Sequence, residues 1–215
     1  MEYQTQTVRN IGWLSSVWRI TTVNPIIEIF ENRKNGFEEE HIAPFPEEIP
    51  NRLVSLYSAR GNYVLDPFCG SGTTNFMALL LGRKTIGYDI EEKYIKIAKE
   101  KCGNKGLFFC KSSEKMKEVY DNSIQLCITS PPYLKLREYS NDPKNIGNME
   151  NPYPSLEKVF REIFRVLKFE GYFCLNVSDI FDKGKREFTT FPYDLLNLCK
   201  KIGFRLENTI IWDKD

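Results

Sequence analysis

The stretch YVLDPFCGSGTT, residues 63–74, decides the fold. Its apolar run Tyr63-Val64-Leu65 predicts a short buried strand that ends at Asp66. The turn Gly70-Ser71-Gly72 follows, because glycine permits backbone conformations that other residues avoid. The small residues of 73–81 then predict a helix. A strand, a glycine turn and a helix in this order indicate the first unit of a parallel α/β sheet.

Strands and helices continue to alternate along the chain, which predicts a parallel sheet with helices on both faces. Ligands bind such sheets at the carboxyl ends of the strands. Polar clusters follow three predicted strand ends, at Asp66–Thr74, Asp89 and Ser130–Tyr133, and we expect the active crevice where they meet. Further strands are predicted at 85–88, 107–109, 124–129, 172–177 and 205–212, and helices at 47–58, 91–101, 153–167 and 193–202.

Composition excludes several classes of protein. The 215 residues are 41% hydrophobic, and 30 Lys and Arg against 29 Asp and Glu give a net charge of +1. Such a chain can form a core, so disorder is excluded as its main state. A membrane span needs an apolar run of about eighteen residues, and the chain contains none. A near-neutral charge disfavours a generic strong nucleic-acid binder but allows a local basic face.

The N-terminus and the cysteines bear on location and on metals. MEYQTQTVRN lacks the basic and apolar regions of a secretory signal, so we predict a cytoplasmic protein with six reduced cysteines. The chain has a single histidine, His41, and no two cysteines stand at C-x-x-C spacing. No metal site is therefore predicted.

Each polar cluster allows a functional and a structural interpretation. The glycine loop lacks the third glycine of a dinucleotide fingerprint and the lysine of a phosphate-binding loop, so NAD and ATP are disfavoured. Asp89 suits the two hydroxyls of a ribose, or it caps the helix that follows it. Pro131 and Pro132 have fixed φ angles and no N–H groups. They form either a rigid loop that presents Ser130 and Tyr133 to a substrate, or a stiff turn with a packed tyrosine.

Two motifs together resemble a known family. DPFCGSGTT at 66–74 and TSPPY at 129–133 resemble the DNA amino-methyltransferases, which use S-adenosylmethionine (AdoMet). This resemblance implies an α/β, Rossmann-like AdoMet-dependent methyltransferase fold, with a mostly parallel seven-stranded sheet that contains one antiparallel strand. Five further segments extend the resemblance over nearly the whole chain, at 9–22, 41–54, 139–148, 165–179 and 203–214.

The order of the motifs predicts a circular permutant. In one common arrangement of the family the catalytic loop comes first, whereas here the glycine loop precedes it. We expect residues 1–215 to form one catalytic domain, with an N-terminal segment 1–45 and a core 46–215, and no substantial separate target-recognition domain. Segment 16–22 should form an edge strand beside 205–212, antiparallel to its neighbours.

The resemblance also implies site residues. The catalytic residues would be Ser130, Pro131, Pro132 and Tyr133. The residues that bind AdoMet would be Pro44, Phe45, Asp66, Phe68, Gly70, Gly72, Thr73, Asp89 and Ile90. Where the family often has an acidic residue near the adenine, after the third strand, this sequence has Cys110-Lys111-Ser112-Ser113-Glu114. Basic residues after the catalytic loop and the fifth strand would contact DNA phosphates, unless they are ordinary solvated loop residues: Lys135, Arg137, Lys183, Lys185 and Arg186.

The implied function is methylation of the N4 amino group of a cytosine flipped out of duplex DNA. The serine of Ser130-Pro131-Pro132-Tyr133 resembles the N4-cytosine enzymes, and N6-adenine methylation is the alternative. An inactive DNA-binding subunit and methylation of RNA or protein are alternatives from other classes, and a nucleotide-binding dehydrogenase is the weakest. Carbon-5 methylation is disfavoured because no Pro-Cys dipeptide supplies its nucleophile. Partners would include a separate recognition chain or a cognate restriction endonuclease.

Overall fold

The computed structural model describes residues 17–20, 46–133, 145–178, 181–182 and 186–213. The chain divides into two compact units. One is Met1–Lys34 with Leu206–Asp215, and the other is Asn35–Arg205.

Helices are α1 Glu48–Tyr57, α2 Thr73–Leu80, α3 Glu92–Lys101, α4 Tyr153–Val166 and α5 Phe191–Ile202, with a 3₁₀ turn at Ile146–Asn148. Strands are β1 Val17–Arg19, β2 Tyr63–Asp66, β3 Lys84–Asp89, β4 Leu107–Cys110, β5 Ile124–Thr129, β6 Leu167–Leu175, β7 Phe181–Asp182, β8 Glu187–Phe188 and β9 Ile211–Asp213.

The larger unit is built on a five-stranded sheet in the order β4-β3-β2-β5-β6. All four strand pairs are parallel, so the predicted α/β class with a mostly parallel sheet is confirmed. The strand order reverses between β2 and β5, because the chain moves outward to β3 and β4 before it returns. A reversal of this kind opens a crevice at the carboxyl ends of the two central strands, where ligands of open α/β sheets bind.

Burial follows the periodicity of the sequence. Helix α4 buries one face through Leu156, Val159, Phe160, Ile163 and Val166, which are three or four residues apart. The central strands β2 and β5 are buried almost throughout, as expected for a sheet covered on both faces. This packing fixes the strand ends from which the loops of the site emerge.

The edge-strand prediction is confirmed for the pairing and wrong for the direction. β1 pairs with β9, but in parallel, with Trp18 opposite Trp212. No turn joins these distant segments, so the sequence holds no local signal that fixes their relative direction. The predicted strand 205–212 is also too long, because the structure begins it only at Ile211 and leaves 205–209 exposed.

The predicted seven-stranded sheet with one antiparallel strand is also corrected. In the described ranges the strands form the five-stranded parallel sheet and two separate pairs, β1 with β9 and β7 with β8. Among the strands that the structure describes, β7 and β8 are the antiparallel pair, which is typical of a short hairpin. The prediction of a single domain over 1–215 stays a prediction beside the two compact units.

Candidate active site

The glycine loop connects β2 to α2 and turns sharply at two glycines. Gly70 and Gly72 have φ angles of 49° and 82°, which lie in the left-handed region that favours glycine. A Cβ on Gly72 would lie 2.8 Å from the Cβ of Ala98 in α3. Gly72 therefore allows the start of α2 to pack closely on α3. Cys69 anchors the loop to the next strand by donating its backbone N–H to the carbonyl of Tyr88 at 2.8 Å.

Asp66 lies at the carboxyl end of β2 and is 2% exposed. Its Oδ1 accepts hydrogen bonds from the backbone N–H of Phe68 at 3.1 Å and from Thr129 Oγ1 at 2.6 Å. Burial raises the pKa of Asp66 to about 6 from an ordinary value of 3.8, although these hydrogen bonds favour the ionised form. The bond from Thr129 joins the end of β2 directly to the end of β5.

Asp89 lies at the carboxyl end of β3 and organises two loops. Its Oδ2 accepts a hydrogen bond from the backbone N–H of Gly70 at 3.0 Å, and its Oδ1 accepts one from that of Glu91 at 2.9 Å. The carboxylate thus fixes the glycine loop and also the start of the segment that leads into α3. Desolvation raises the pKa of Asp89 to about 6.

The catalytic loop of the prediction leaves β5 beside the same crevice. Ser130 Oγ donates a hydrogen bond to the hydroxyl oxygen of Tyr133, with 3.4 Å between the two atoms. The Tyr133 ring packs beside Phe191 at the start of α5, with ring centroids 6.4 Å apart. The backbone N–H of Asn176 donates to the carbonyl of Thr129 at 2.8 Å, which holds the end of β5 against the segment after β6.

One cleft brings most of the predicted residues together. It is partly open to solvent. Gly70 and Gly72 are not among its lining residues, and they shape the loop instead. The predicted residues that line the cleft are Asp66, Phe68, Thr73, Asp89, Ile90, Ser130, Pro131, Pro132 and Tyr133.

The cleft also has lining residues that the sequence interpretation did not assign. Lys111 and Ser113 follow β4, so the rule of strand carboxyl ends could have included them. Tyr94 lies in α3, and Asn145 and Ile146 lie at the 3₁₀ turn. Their sequence offers no comparable signal, because they reach the cleft only through the packing of distant segments.

Several predicted residues lie outside the described part of the chain. These are the two expected at the methionine end of the cofactor, Pro44 and Phe45, and four of the expected DNA contacts, Lys135, Arg137, Lys183 and Lys185. Arg186 is described; it is exposed and has a φ angle of 58°.

Comparison with known proteins agrees with this geometry. Residues 58–201 match the family model described as a methyltransferase domain. The chain belongs to this methyltransferase family. Residues 1–100 also match a model described as DNA methylase, and the predicted membership of the DNA amino-methyltransferases is thereby confirmed at the level of the family.

Curated relatives are Type II methyltransferases. M.MjaI of Methanocaldococcus jannaschii is 40% identical over 93 residues, which are 43% of this chain and 28% of that protein. M.BglI of Bacillus subtilis is 36% identical over 109 residues, which are 50% of this chain and 28% of that protein. The matched part of the chain therefore spans less than a third of the length of either relative.

A solved structure agrees with the fold. A TehB-like SAM-dependent methyltransferase from Corynebacterium glutamicum superposes with a TM-score of 0.55 and 17% sequence identity, over 85% of this chain and 82% of that one. At this identity the similarity shows the fold alone.

The residues of the cleft fit AdoMet, the cofactor of this family. AdoMet carries positive charge on its sulfonium and its amino group. Asp66 is buried and Asp89 is half-buried, and a neighbouring cation would favour the ionised form of both carboxyls. Phe68, Ile90 and Tyr94 supply apolar surface for the rest of the molecule. In the described ranges, no group of three or more His, Cys, Asp or Glu side chains could hold a metal ion. None of the described helices has the length and apolarity to cross a membrane.

Proposed function

We propose that this chain is the catalytic region of a Type II-like DNA methyltransferase that transfers the methyl group of AdoMet to an exocyclic amino group in duplex DNA. The observation that carries the proposal is the hydrogen bond from Thr129 Oγ1 to Asp66 Oδ1. It ties the Ser130–Tyr133 loop to the glycine loop at the point where the strand order reverses. A methyl donor and its acceptor would therefore meet in one cleft.

The roles of the cofactor residues follow from their places around the cleft. Asp89 would bind the ribose hydroxyls, and Ile90 beside it would pack on the adenine. The methionine end would lie against the glycine loop, whose shape Gly70 and Gly72 determine. Residues proposed for the methionine end are Pro44, Phe45, Asp66, Phe68, Gly70, Gly72 and Thr73.

The chemical task is to make a poor nucleophile attack. An exocyclic amino nitrogen has its lone pair delocalised into the ring. Ser130 Oγ and the Pro131 carbonyl can each accept one of its N–H bonds, which favours a tetrahedral nitrogen as the attack begins. AdoMet supplies the activated methyl group. Polar groups placed where charge develops are usually the largest catalytic contribution, and alignment of the reactants adds to it.

The target base must leave the duplex to reach this cleft. Flipping costs a few kcal/mol in unstacking and unpairing. Stacking on an aromatic ring returns about 1–3 kcal/mol, and Tyr133 is the proposed stacking partner. The phenyl ring is the essential part, so Tyr133→Phe should keep most DNA binding and Tyr133→Ala should lose it.

Cytosine N4 is the proposed target, because the first residue of the catalytic loop is Ser130 and a serine there resembles the N4-cytosine enzymes. The N6 amino group of adenine is the second candidate, since a hydroxyl can accept a hydrogen bond from either amine. An inactive DNA-binding subunit is the non-enzymatic alternative, and the intact loop beside a cleft that fits AdoMet argues against it.

Contact with DNA and recognition of its sequence are proposed to involve more than this cleft. Lys135, Arg137, Lys183, Lys185 and Arg186 would pair with phosphates. Sequence recognition would come from loops, from further parts of a longer protein, or from a partner such as a separate recognition chain, with a cognate restriction endonuclease as a second partner. The circular permutation and the cytoplasmic location remain part of the same proposal.

One experiment tests the proposed function. The chain is incubated with labelled AdoMet and amplified, hence unmethylated, bacterial DNA, which is then digested to nucleosides. We expect N4-methyldeoxycytidine, and about 10²–10³-fold slower labelling with the Ser130→Ala variant. If N6-methyldeoxyadenosine is found instead, adenine N6 replaces cytosine N4 as the proposed target. Label in RNA or protein substrates alone would contradict the proposal.

A further inference from the structure

Three aromatic rings form a row of contacts, and one of them, Tyr133, lines the cleft. Phe191 stands between Tyr133 of the catalytic loop and Tyr153 of α4, with ring centroids 6.4 Å from each and planes tilted by 55° in both pairs. We propose that Phe191 is a positioning residue, whose ring holds that of Tyr133 in the orientation needed to stack on the target base. This inference rests on the proposed function.

Phe191 is itself fixed in place. It is fully buried, at 0% exposure, within the main hydrophobic core. It begins α5, and a polar network locks that end of the helix to the start of α4. Asp194 Oδ2 accepts hydrogen bonds from the Tyr153 hydroxyl at 2.9 Å and from Thr190 Oγ1 at 2.7 Å. Phe191 therefore presents a rigid surface to the catalytic loop.

Tyr133 packs on this surface from a loop that contains two prolines. Pro131 and Pro132 before it have no N–H groups, so they cannot donate backbone hydrogen bonds that would fix the loop. The contact of Tyr133 with Ser130 joins two hydroxyls at 3.4 Å, a distance at which a hydrogen bond of this type is weak. The tilted packing of Tyr133 on Phe191 adds a defined ring geometry to the polar contacts of Tyr133.

Loss of the Phe191 ring should therefore misalign Tyr133 without disturbing the cofactor side. For Phe191→Leu we expect single-turnover methyl transfer to amplified, unmethylated bacterial DNA to fall about tenfold, since small misplacements of reacting groups slow catalysis strongly. The dissociation constant for AdoMet should not change. Phe160→Leu is the matched control, because Phe160 is equally buried but packs on Phe173 in the core.

A double-mutant cycle separates positioning from a merely structural role. The rates are measured at DNA concentrations high enough to quantify the residual transfer by a Tyr133→Ala chain. If Phe191 acts through Tyr133, Phe191→Leu should slow the parent chain but not the Tyr133→Ala chain. Where Phe191→Leu does not fold, Tyr153→Phe is the substitute, because it removes only the hydrogen bond to Asp194. It should slow transfer about threefold in the chain that keeps Tyr133, and not in the Tyr133→Ala chain. Equal effects in both backgrounds, or an unchanged rate, would overturn the positioning role. No transfer to DNA by the unsubstituted chain would instead overturn the proposed function, and this role with it.

Discussion

The two loops that meet in the cleft are held by different kinds of interaction. The glycine loop is fixed by polar groups, through backbone N–H bonds to Asp89 and Asp66 and a bond from Cys69 to the neighbouring strand. The Ser130–Tyr133 loop follows its anchor at Thr129, and its Tyr133 ring packs on Phe191. The cofactor side is thus preorganised electrostatically, and the base side gains apolar packing on a buried ring.

This difference matches what each side must do. A cofactor binds in one geometry, so a rigid polar frame is an advantage despite the desolvation of two carboxylates. A base arriving from a duplex must be stacked whatever its sequence context, and a supported aromatic ring suits that task. Substitutions on the two sides should therefore affect different measurable quantities.

The largest difference between the effect on kcat and the effect on AdoMet binding is expected for Ser130→Ala, on the base side. Removal of one acceptor from the developing charge should lower kcat by about 10²–10³-fold, as for loss of one oxyanion-hole group. The dissociation constant for AdoMet, measured by calorimetry, should stay unchanged. Ser123→Ala serves as control, because the Ser123 hydroxyl bonds only the nearby Tyr120 carbonyl on the surface. A kcat within threefold of the parent would remove Ser130 from the proposed mechanism.

On the cofactor side, Asp66 should make stability depend on pH. The pKa of Asp66 in the folded state, about 6, lies above the ordinary 3.8. The contribution of Asp66 to the stability of the folded state is therefore fully present below pH 4 and is lost as the pH rises through 6. Asp66→Asn should therefore unfold at the same denaturant concentration as the parent at pH 4. At pH 7.5 it should be more stable by up to about 3 kcal/mol.

The comparison with the variant is needed because other carboxylates act in the opposite direction. The pKa of Glu162, for example, is lowered by its hydrogen bond to Arg165. The same variant should bind AdoMet more weakly at pH 7.5, since a cationic ligand favours the ionised carboxylate. If the stabilities of parent and variant change in parallel from pH 4 to 7.5, burial does not raise the pKa of Asp66.

Gly72 tests how closely the glycine loop is packed. Gly72 and Gly61 share a φ of 82°, but an added Cβ meets Ala98 at Gly72 and nothing within 4 Å at Gly61. Both alanine variants bear the left-handed strain of about 1–2 kcal/mol. Gly72→Ala should lose about 2 kcal/mol more in urea unfolding, because the clash must be relieved. Equal losses would mean that α2 and α3 can separate freely.

The smallest of these effects is expected at the ribose. Asp89→Ala should raise the dissociation constant for AdoMet at least about tenfold, equivalent to roughly 1.4 kcal/mol. Asp121→Ala is a suitable control, since Asp121 pairs with Arg165 and does not line the cleft. An unchanged constant for Asp89→Ala would leave the ribose without its proposed partner.

The sequence sufficed for features that depend on local pattern. Strand β5 has the predicted bounds 124–129, and α2 and α3 differ from prediction by one residue, because apolar periodicity and glycine stops are local signals. The meeting of Asp66, Asp89 and Ser130 followed from the rule of strand carboxyl ends.

Features that depend on tertiary packing were not predictable in this way. The parallel direction of β1 and β9 and the shortness of β9 have no local signal. The row of rings through Phe191 joins two helices and a loop that are distant in sequence. Apolar residues at a helix start show that a face is buried, but not which side chain they will hold.

The most direct test of the account is a crystal structure of the chain soaked with AdoMet or its demethylated product. We predict that the ribose hydroxyls lie on Asp89 and that the sulfur points toward Ser130, in the cleft that Asp66 and Thr129 close. A cofactor bound elsewhere, or one whose sulfur faces away from Ser130, would contradict the claim that both loops form one active site.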